Sequence, residues 1–193
     1  GLVGSEMCIR DSIEEVPEVD AVLGTTSYGD ILKAIREAME GKHFQEFKDI
    51  DYLPEKLGKR VLTTGGHFGY LKIAEGCDKH CTYCIIPKLR GKFRSVPMER
   101  LVTQAKEMAE EGVKELILVA QETTVYGTDI YGKKSLHILL KELCKIKGIR
   151  WIRVLYCYPE EIYDELIQTM KEEKKICHYL DLPIQHASDR ILK

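Results

Sequence analysis

The stretch Cys77-Asp78-Lys79-His80-Cys81-Thr82-Tyr83-Cys84 decides how this chain is interpreted. It places three cysteines at the spacing C-x3-C-x2-C, directly after the strand-like run Tyr70–Ala74. Three thiolates so close in sequence can wrap one metal centre. A structural zinc site needs four ligands, and a fourth ligand at His80 would abut Cys81, so two adjacent residues would have to reach one tetrahedral ion. Three cysteines fit a [4Fe–4S] cluster with one iron left open for a small molecule.

Downstream of this loop, strand and helix patterns alternate. Buried-strand runs recur at Glu115–Ala120, Arg150–Cys157 and Cys177–Ile184. Apolar residues at helical spacing lie before and between them, over 98–109, 136–143 and 162–170. This β-α order implies parallel strands joined by right-handed crossovers, so we predict an α/β fold.

Upstream of the loop, residues 16–41 predict one β–α step. The strand is Val19–Leu23, and Ser27 is a candidate N-cap. The helix carries an apolar stripe ending at Gly41, formed by Ile31, Leu32, Ile35, Ala38 and Met39. Residues 42–69 are interpreted as a linker with one strand at Arg60–Thr64. We interpret residues 1–12, which include Cys8, as a non-native head similar to translated adaptor sequence.

The composition excludes several classes of protein. The chain has 193 residues and a formal net charge of -2, which argues against a strongly basic nucleic-acid binder. Seven cysteines is an odd number for a disulfide scaffold and favours a reducing cytoplasm. No apolar run approaches the roughly 18 residues of a membrane span, so no membrane partner is expected.

Polar residues follow each predicted strand of the second half. Gln121 and Glu122 follow the second strand, Tyr158 the third, and Gln185 and His186 the fourth. The carboxyl ends of parallel strands meet at one edge, where barrels of this type carry out chemistry. These residues therefore form a candidate site, although Gln121 and Glu122 could equally cap the next turn.

The cysteine loop resembles the signature of radical S-adenosylmethionine (SAM) enzymes. The resemblance implies a partial (β/α) barrel, of which about four β/α units are present. It also implies that Cys77, Cys81 and Cys84 bind a [4Fe–4S] cluster whose open iron is chelated by SAM. An electron from the cluster then cleaves SAM to a 5′-deoxyadenosyl radical. Tyr83 stands where the family has an aromatic residue before the last cysteine, and the loop backbone at that place lies near adenine in such enzymes.

Further motifs resemble the methylthiotransferase branch of this family. They are Glu75-Gly76-Cys77, Cys84-Ile85-Ile86-Pro87, Arg90–Ser95, Ala120–Thr124 with Tyr126, Gly127 and Asp129, Trp151–Pro159 and Asp181–His186. Together they are most similar to the RimO type, which adds a methylthio group to the β-carbon of an aspartate in small-subunit ribosomal protein twelve. The tRNA-modifying type of the branch remains the alternative, with tRNA as its substrate. A non-catalytic metal or electron-transfer module is the second alternative.

The positions of these residues after the strands and the cysteine loop suggest individual roles. Gln121 and Glu122 would hold the aminoacid end of SAM, while Gln185 and His186 would line the substrate cavity. Arg90 belongs to a basic rim that would meet the ribosome or an acidic substrate loop; the rim is Lys88, Arg90, Lys92 and Arg94. The remaining cysteines, Cys144, Cys157 and Cys177, are expected to be small packing residues.

The resemblance implies a domain order that the chain only partly contains. Residues 13–41 match the end of a methylthiotransferase N-terminal domain, and 70–193 match a radical SAM core that is truncated at its C-terminus. The three cysteines for a second [4Fe–4S] cluster and the C-terminal β-rich (TRAM-like) domain are missing. We therefore expect this fragment to be inactive alone, and expect the whole enzyme to use a flavodoxin or ferredoxin-like electron donor.

Overall fold

A computed structural model describes residues 16–53 and 65–192. Contacts divide these residues into two compact units, one made of 16–53 with 76–92 and the other of 65–75 with 93–192. The interpretations of the head at 1–12 and of a strand at Arg60–Thr64 lie outside the described residues. No described helix is long and apolar enough to cross a membrane.

The elements are numbered along the chain. The strands are β1 (Ala21–Leu23), β2 (Phe44–Glu46), β3 (Phe68–Lys72), β4 (Ala74–Glu75), β5 (Arg94–Ser95), β6 (Glu115–Val119), β7 (Trp151–Val154) and β8 (Ile176–Leu180). The helices are α1 (Ile31–Met39), α2 (Ile86–Arg90), α3 (Met98–Glu110), α4 (Thr128–Tyr131), α5 (Leu136–Cys144), α6 (Asp164–Glu172) and α7 (Asp189–Leu192).

In the first unit, β1 and β2 pair in parallel, and α1 connects them. The predicted β–α step is confirmed, but β2 lies inside the stretch interpreted as a linker. The linker prediction therefore starts too early. Three residues such as Phe44–Glu46 are too short for the alternation of apolar and polar positions that marks a strand in sequence.

Two details of α1 correct the sequence analysis. The Ser27 side chain caps no helix; its hydroxyl oxygen accepts a hydrogen bond from the Lys48 backbone N–H at 2.9 Å. The apolar stripe is helical in spacing but is not buried among the described residues, since Leu32 is 66% and Met39 83% exposed. Ala34 is the buried residue of this helix.

In the second unit, four parallel strands form one sheet in the order β3-β6-β7-β8. This confirms the α/β prediction and is consistent with a partial β/α barrel of four strands. One sheet face is buried, with Leu71, Leu116, Leu118, Ile152 and Val154 almost inaccessible. Helices α3, α5 and α6 pack against β3, β7 and β8.

The opposite face of the same sheet carries the alternate residues of each strand, as the period of two requires. Tyr70, Trp151 and Tyr179 are exposed there, and Arg153 lies 5.2 Å from the Tyr179 ring centroid. Arg153 also donates to Glu115 at 2.7 Å. One face is therefore the core, and the other is a polar and aromatic surface.

Candidate functional site

The cysteine loop begins directly after β4 in sequence and belongs to the first unit. Gly76 precedes it with φ +80°, and a Cβ at this position would lie 2.0 Å from the Lys92 carbonyl oxygen. Only glycine fits this position, because the loop backbone passes so close to residues 91 and 92. The Cys77 N–H donates to the Gly91 carbonyl at 3.2 Å, which ties the start of the loop to the segment that leaves it.

The far end of the loop is a turn that leads into α2. The Cys84 N–H donates to the Cys81 carbonyl at 2.9 Å, and α2 begins at Ile86 with Pro87 in its first turn. All three cysteines are half-buried thiols, and Tyr83 between them is 75% exposed. The loop thus presents three soft donors on a short backbone fixed at both ends.

The conformation of this loop is not that of a closed metal site. Within 16–53 and 65–192, no group of three or more His, Cys, Asp or Glu residues is arranged to hold a metal ion. The assignment of Cys77, Cys81 and Cys84 as cluster ligands therefore stays a prediction. The donor set itself fits an iron–sulfur cluster, since three accessible thiols on one loop are the ligands such a cluster takes.

The other three described cysteines lie in different surroundings. Burial raises the pKa of Cys144 to about 11, and it also raises the pKa values of Cys157 and Cys177. A thiol whose pKa is raised stays protonated at neutral pH and is a poor metal ligand. Cys144 and Cys157 are buried as predicted, whereas Cys177 is half-buried.

A second group of polar residues lies in the second unit, at the carboxyl edge of β3 and β6. The Gln121 Nε2 donates to Glu75 Oε1 at 2.9 Å, and Lys72 Nζ pairs with Glu75 Oε2. The Gln121 Oε1 is buried and accepts no hydrogen bond from any described residue. The amide oxygen is therefore available to a donor from outside this set.

Glu122 has a different environment from its neighbour. It is buried, and its Oε1 accepts a hydrogen bond from the Thr124 hydroxyl, two residues on. The Thr124 oxygen in turn accepts from the Tyr158 N–H at 3.1 Å. These bonds resemble the turn-capping alternative, and a SAM contact at Glu122 stays a prediction, as does one at Gln121.

Hydrogen bonds join the carboxyl ends of β6, β7 and β8. Thr123 donates from its N–H to the Tyr156 carbonyl at 3.0 Å and from its hydroxyl to the Leu155 carbonyl at 2.8 Å. The Tyr156 N–H donates to Asp181 Oδ2 at 3.1 Å. Tyr156 has φ +57°, a left-handed conformation that is unusual for tyrosine, and its side chain is 52% exposed.

The residues predicted to line a substrate cavity are exposed after β8. Gln185 Nε2 donates to the Pro183 carbonyl at 3.3 Å, and His186 Nδ1 accepts from the Ser188 N–H at 2.9 Å. Each bond joins a side chain to a backbone group two residues away in sequence, so both bonds shape a local turn. The cavity-lining role stays a prediction for both.

The predicted basic rim is not one continuous loop. Lys88 and Arg90 lie in the last turn of α2, where positive charge is favoured, and the Lys92 N–H donates to Asp51 Oδ1 at 2.9 Å. Arg94 belongs to β5, in the second unit. Arg90 is half-buried and Lys88 exposed.

Three residues of this region carry no sequence signal of a site or anchor role: Lys72, Glu75 and Asp129. Asp129 accepts from the Ser95 N–H and hydroxyl at 2.8 and 2.6 Å, which anchors β5. Glu75 and Asp129 appeared only as letters of family motifs. A carboxylate in a strand of two residues produces no periodic signal, and its partner Gln121 lies 46 positions away.

Comparison with solved structures supports the fold. A radical S-adenosylmethionine methyltransferase, TsrM from Kitasatospora setae, superposes with a TM-score of 0.53 over 66% of this chain and 23% of that one, at 16% identity. At this identity the likeness concerns the fold alone.

Comparison with curated proteins gives much higher identity. The ribosomal protein uS12 methylthiotransferase RimO of Lachnoclostridium phytofermentans is 67% identical over 184 residues, which is 95% of this chain and 42% of that protein. The RimO proteins of Clostridium botulinum and Clostridioides difficile are 57% and 52% identical, each matched over 40% of its length. The chain thus spans about two-fifths of the relatives it matches, and the resemblance to the RimO type is confirmed.

The family comparison covers the whole second half of the sequence. The family described as the Radical SAM superfamily matches residues 71–193, which include the cysteine loop and all of the four-stranded sheet except the first three residues of β3. The chain therefore belongs to the radical SAM superfamily.

Proposed function

We propose that the protein containing this chain transfers a methylthio group to the β-carbon of an aspartate in ribosomal small-subunit protein twelve. The observation that carries the proposal is the cysteine loop, with three half-buried thiols and both ends fixed in the first unit. The relatives at 52–67% identity, all named RimO, support this substrate over tRNA.

In this proposal, Cys77, Cys81 and Cys84 hold a [4Fe–4S] cluster. The cluster and SAM, when bound, supply a carbon-centred radical by one-electron cleavage of SAM. The chain's own part is to present the thiols. Gly76 and the Cys77–Gly91 hydrogen bond fix where the loop starts, and the turn at Cys81–Cys84 fixes how it ends.

The binding of SAM falls to Tyr83, Gln121 and Glu122. Gln121 offers an amide oxygen that is buried and accepts no hydrogen bond from the described residues. Tyr83 is exposed beside the thiols and can cover a flat aromatic ring. Glu122 contributes through its hydrogen bond with Thr124, which shapes the turn after β6.

The macromolecular partners are protein twelve or the ribosome, and an electron donor of the flavodoxin or ferredoxin-like kind. Gln185, His186 and Arg90 are the substrate contacts in this proposal, with Gln185 and His186 exposed. In the proposed domain order, residues 13–41 form the end of an N-terminal domain, and residues 70–193 belong to the radical SAM core. Both segments are parts of a longer enzyme in this proposal.

Anaerobic reconstitution with iron and sulfide tests the cluster. We expect a brown chain with about four irons per molecule, as one cubane requires. A colourless chain that takes up zinc instead would overturn the radical SAM chemistry. A brown chain whose longer natural form never yields 5′-deoxyadenosine would leave only an electron-transfer module.

The substrate is tested in a strain that lacks the gene. We expect the peptide map of ribosomal protein twelve to lose its methylthio group while tRNA nucleosides remain unchanged. A loss confined to tRNA nucleosides would show that the tRNA type of this family is the correct assignment.

A further inference from the structure

Gln121 lies in a polar arrangement that the proposed function does not yet explain. Its side-chain N–H bonds to Glu75, and Glu75 is anchored on its other oxygen by Lys72. The Glu75 side chain is 12% exposed, whereas that of Lys72 is 48% exposed. The three residues come from the end of β3, from β4 and from the residues after β6, all in the second unit.

The chemistry of the pair determines which way the Gln121 amide faces. An ionised carboxylate only accepts hydrogen bonds, so the NH2 group of Gln121 must be the atom that faces Glu75. The amide oxygen then faces away from Glu75. It is buried and receives no hydrogen bond from the described residues. A buried acceptor without a donor is costly, and such atoms in native structures need an explanation.

We infer that Glu75 is a positioning residue, which holds the Gln121 amide in the one polarity that offers its oxygen to a bound ligand. The inference rests on the proposed function, in which Gln121 meets the aminoacid end of SAM. That end has an ammonium, which donates, and a carboxylate, which accepts. The Gln121 amide oxygen accepts hydrogen bonds and lies close to the Glu75 carboxylate. It therefore favours the SAM ammonium as its partner and disfavours the SAM carboxylate.

A neutral residue in place of Glu75 no longer fixes which way the Gln121 amide faces. Gln at position 75 has both a donor and an acceptor, so the Gln121 amide can turn over and still form a hydrogen bond. In the turned state the NH2 group of Gln121 faces the ligand. Two donors, this NH2 group and the SAM ammonium, then oppose each other, and no hydrogen bond forms between them. Glu75→Gln should therefore weaken SAM binding by about tenfold, equivalent to about 1.4 kcal/mol, while the fold is retained.

The first experiment examines the pair without SAM. In 15N-labelled chain, the side-chain NH2 signals of Gln121 should be shifted and protected from hydrogen exchange by the carboxylate. Both effects should diminish in Glu75→Gln and persist in Glu107→Gln, a matched change at an exposed glutamate of α3. Unchanged Gln121 signals in Glu75→Gln would overturn the positioning role.

The second experiment measures SAM binding by equilibrium dialysis, under anaerobic conditions, to the longer natural protein that contains this chain, reconstituted with iron and sulfide. Glu75→Gln should bind about tenfold more weakly than wild type. The exchange variant, Glu75→Gln with Gln121→Glu, regains one donor and one acceptor across the pair and keeps an acceptor toward the ammonium, so it should recover most of the affinity. Glu107→Gln should bind like wild type.

The outcomes separate the two proposals. Wild-type binding together with unchanged binding by Glu75→Gln would overturn the positioning role and leave the proposed function standing. No SAM binding by the wild type would overturn the proposed function, and the NMR experiment would still decide whether Glu75 orients the amide. Equal losses in the single and exchange variants would show a merely structural role and overturn the inference.

Discussion

At the scale of single residues, the three loop cysteines differ from the buried ones by their surroundings, and a matched pair of substitutions tests this difference. Cys81→Ala removes a half-buried thiol from a loop and should abolish iron uptake with little change in unfolding free energy. Cys144→Ala removes a buried thiol and should lose about 1 kcal/mol of stability while still binding iron. Iron analysis and urea unfolding measure both. Normal iron uptake by Cys81→Ala would contradict the ligand assignment.

Tyr156 is held in a backbone conformation that tyrosine disfavours, and the fold itself gains little from its exposed ring. The left-handed region costs a non-glycine residue roughly 1–2 kcal/mol, whereas glycine adopts it freely but loses about 0.5–1 kcal/mol of chain entropy. Tyr156→Gly should therefore be at least as stable as Tyr156→Ala, which keeps the strain. Thermal unfolding of both variants checks this order. A less stable glycine variant would show that the backbone there is not strained.

At the scale of elements, the sequence predicts those with a repeating pattern and misses those without one. The strands β6, β7 and β8 and the helices α3, α5 and α6 occur where apolar periodicity places them, although β7 and β8 end earlier than predicted. The pair β4 and β5 was missed because each has two residues, and the pairing of Ala74 with Ser95 spans a long loop. The exposure of the α1 stripe was also unforeseen, since periodicity identifies an apolar face but not its partner.

The conformation of the cysteine loop depends on Gly76, which combines a positive φ with a close backbone contact. Gly41 has the positive φ alone and serves as the matched control. Gly76 and Gly41 both have positive φ, at +80° and +74°, but only at Gly76 would a Cβ meet backbone, 2.0 Å from an oxygen. Gly76→Ala should thus shift the loop and reduce iron uptake severely, while Gly41→Ala should cost only about 1 kcal/mol of backbone strain. Iron content after reconstitution measures the first effect and urea unfolding the second. Full iron uptake by Gly76→Ala would show that the loop start is not fixed.

At the scale of the whole molecule, the candidate site could be predicted only in part. The cysteine spacing and the polar residues after each strand are local features, so they are readable in the sequence. The role of Glu75 depends on contacts with Lys72 and Gln121, and the second of these joins segments distant in sequence. The comparisons then add what neither periodicity nor spacing contains, namely membership of the superfamily.

The stability of the whole chain should fall in mild acid through His137, on α5. Burial lowers the pKa of His137 below its ordinary value of 6.5; Lys141 and Lys133 add to this effect, and Glu165 opposes it. The Nδ1 atom of His137 lies 3.0 Å from the Tyr163 hydroxyl, which also accepts from the His137 backbone N–H at 3.2 Å. In the tautomer that carries its proton on Nε2, the neutral ring accepts the hydroxyl proton at Nδ1. The unfolded chain then binds more protons than the folded chain between the two pKa values, and stability rises with pH across this interval.

The contribution of neutral His137 is therefore complete well above pH 6.5 and is lost as the pH falls through 6.5 toward the lower folded pKa. His137→Asn isolates this contribution, because the amide oxygen can accept the Tyr163 hydroxyl proton but does not titrate. Urea unfolding at pH 7.5 and pH 5.5 should show a larger loss of stability for the wild type than for His137→Asn. The other histidines are shared by both chains, so their titration cancels in the comparison. Equal losses would mean that His137 is protonated as readily in the folded chain as in the unfolded one.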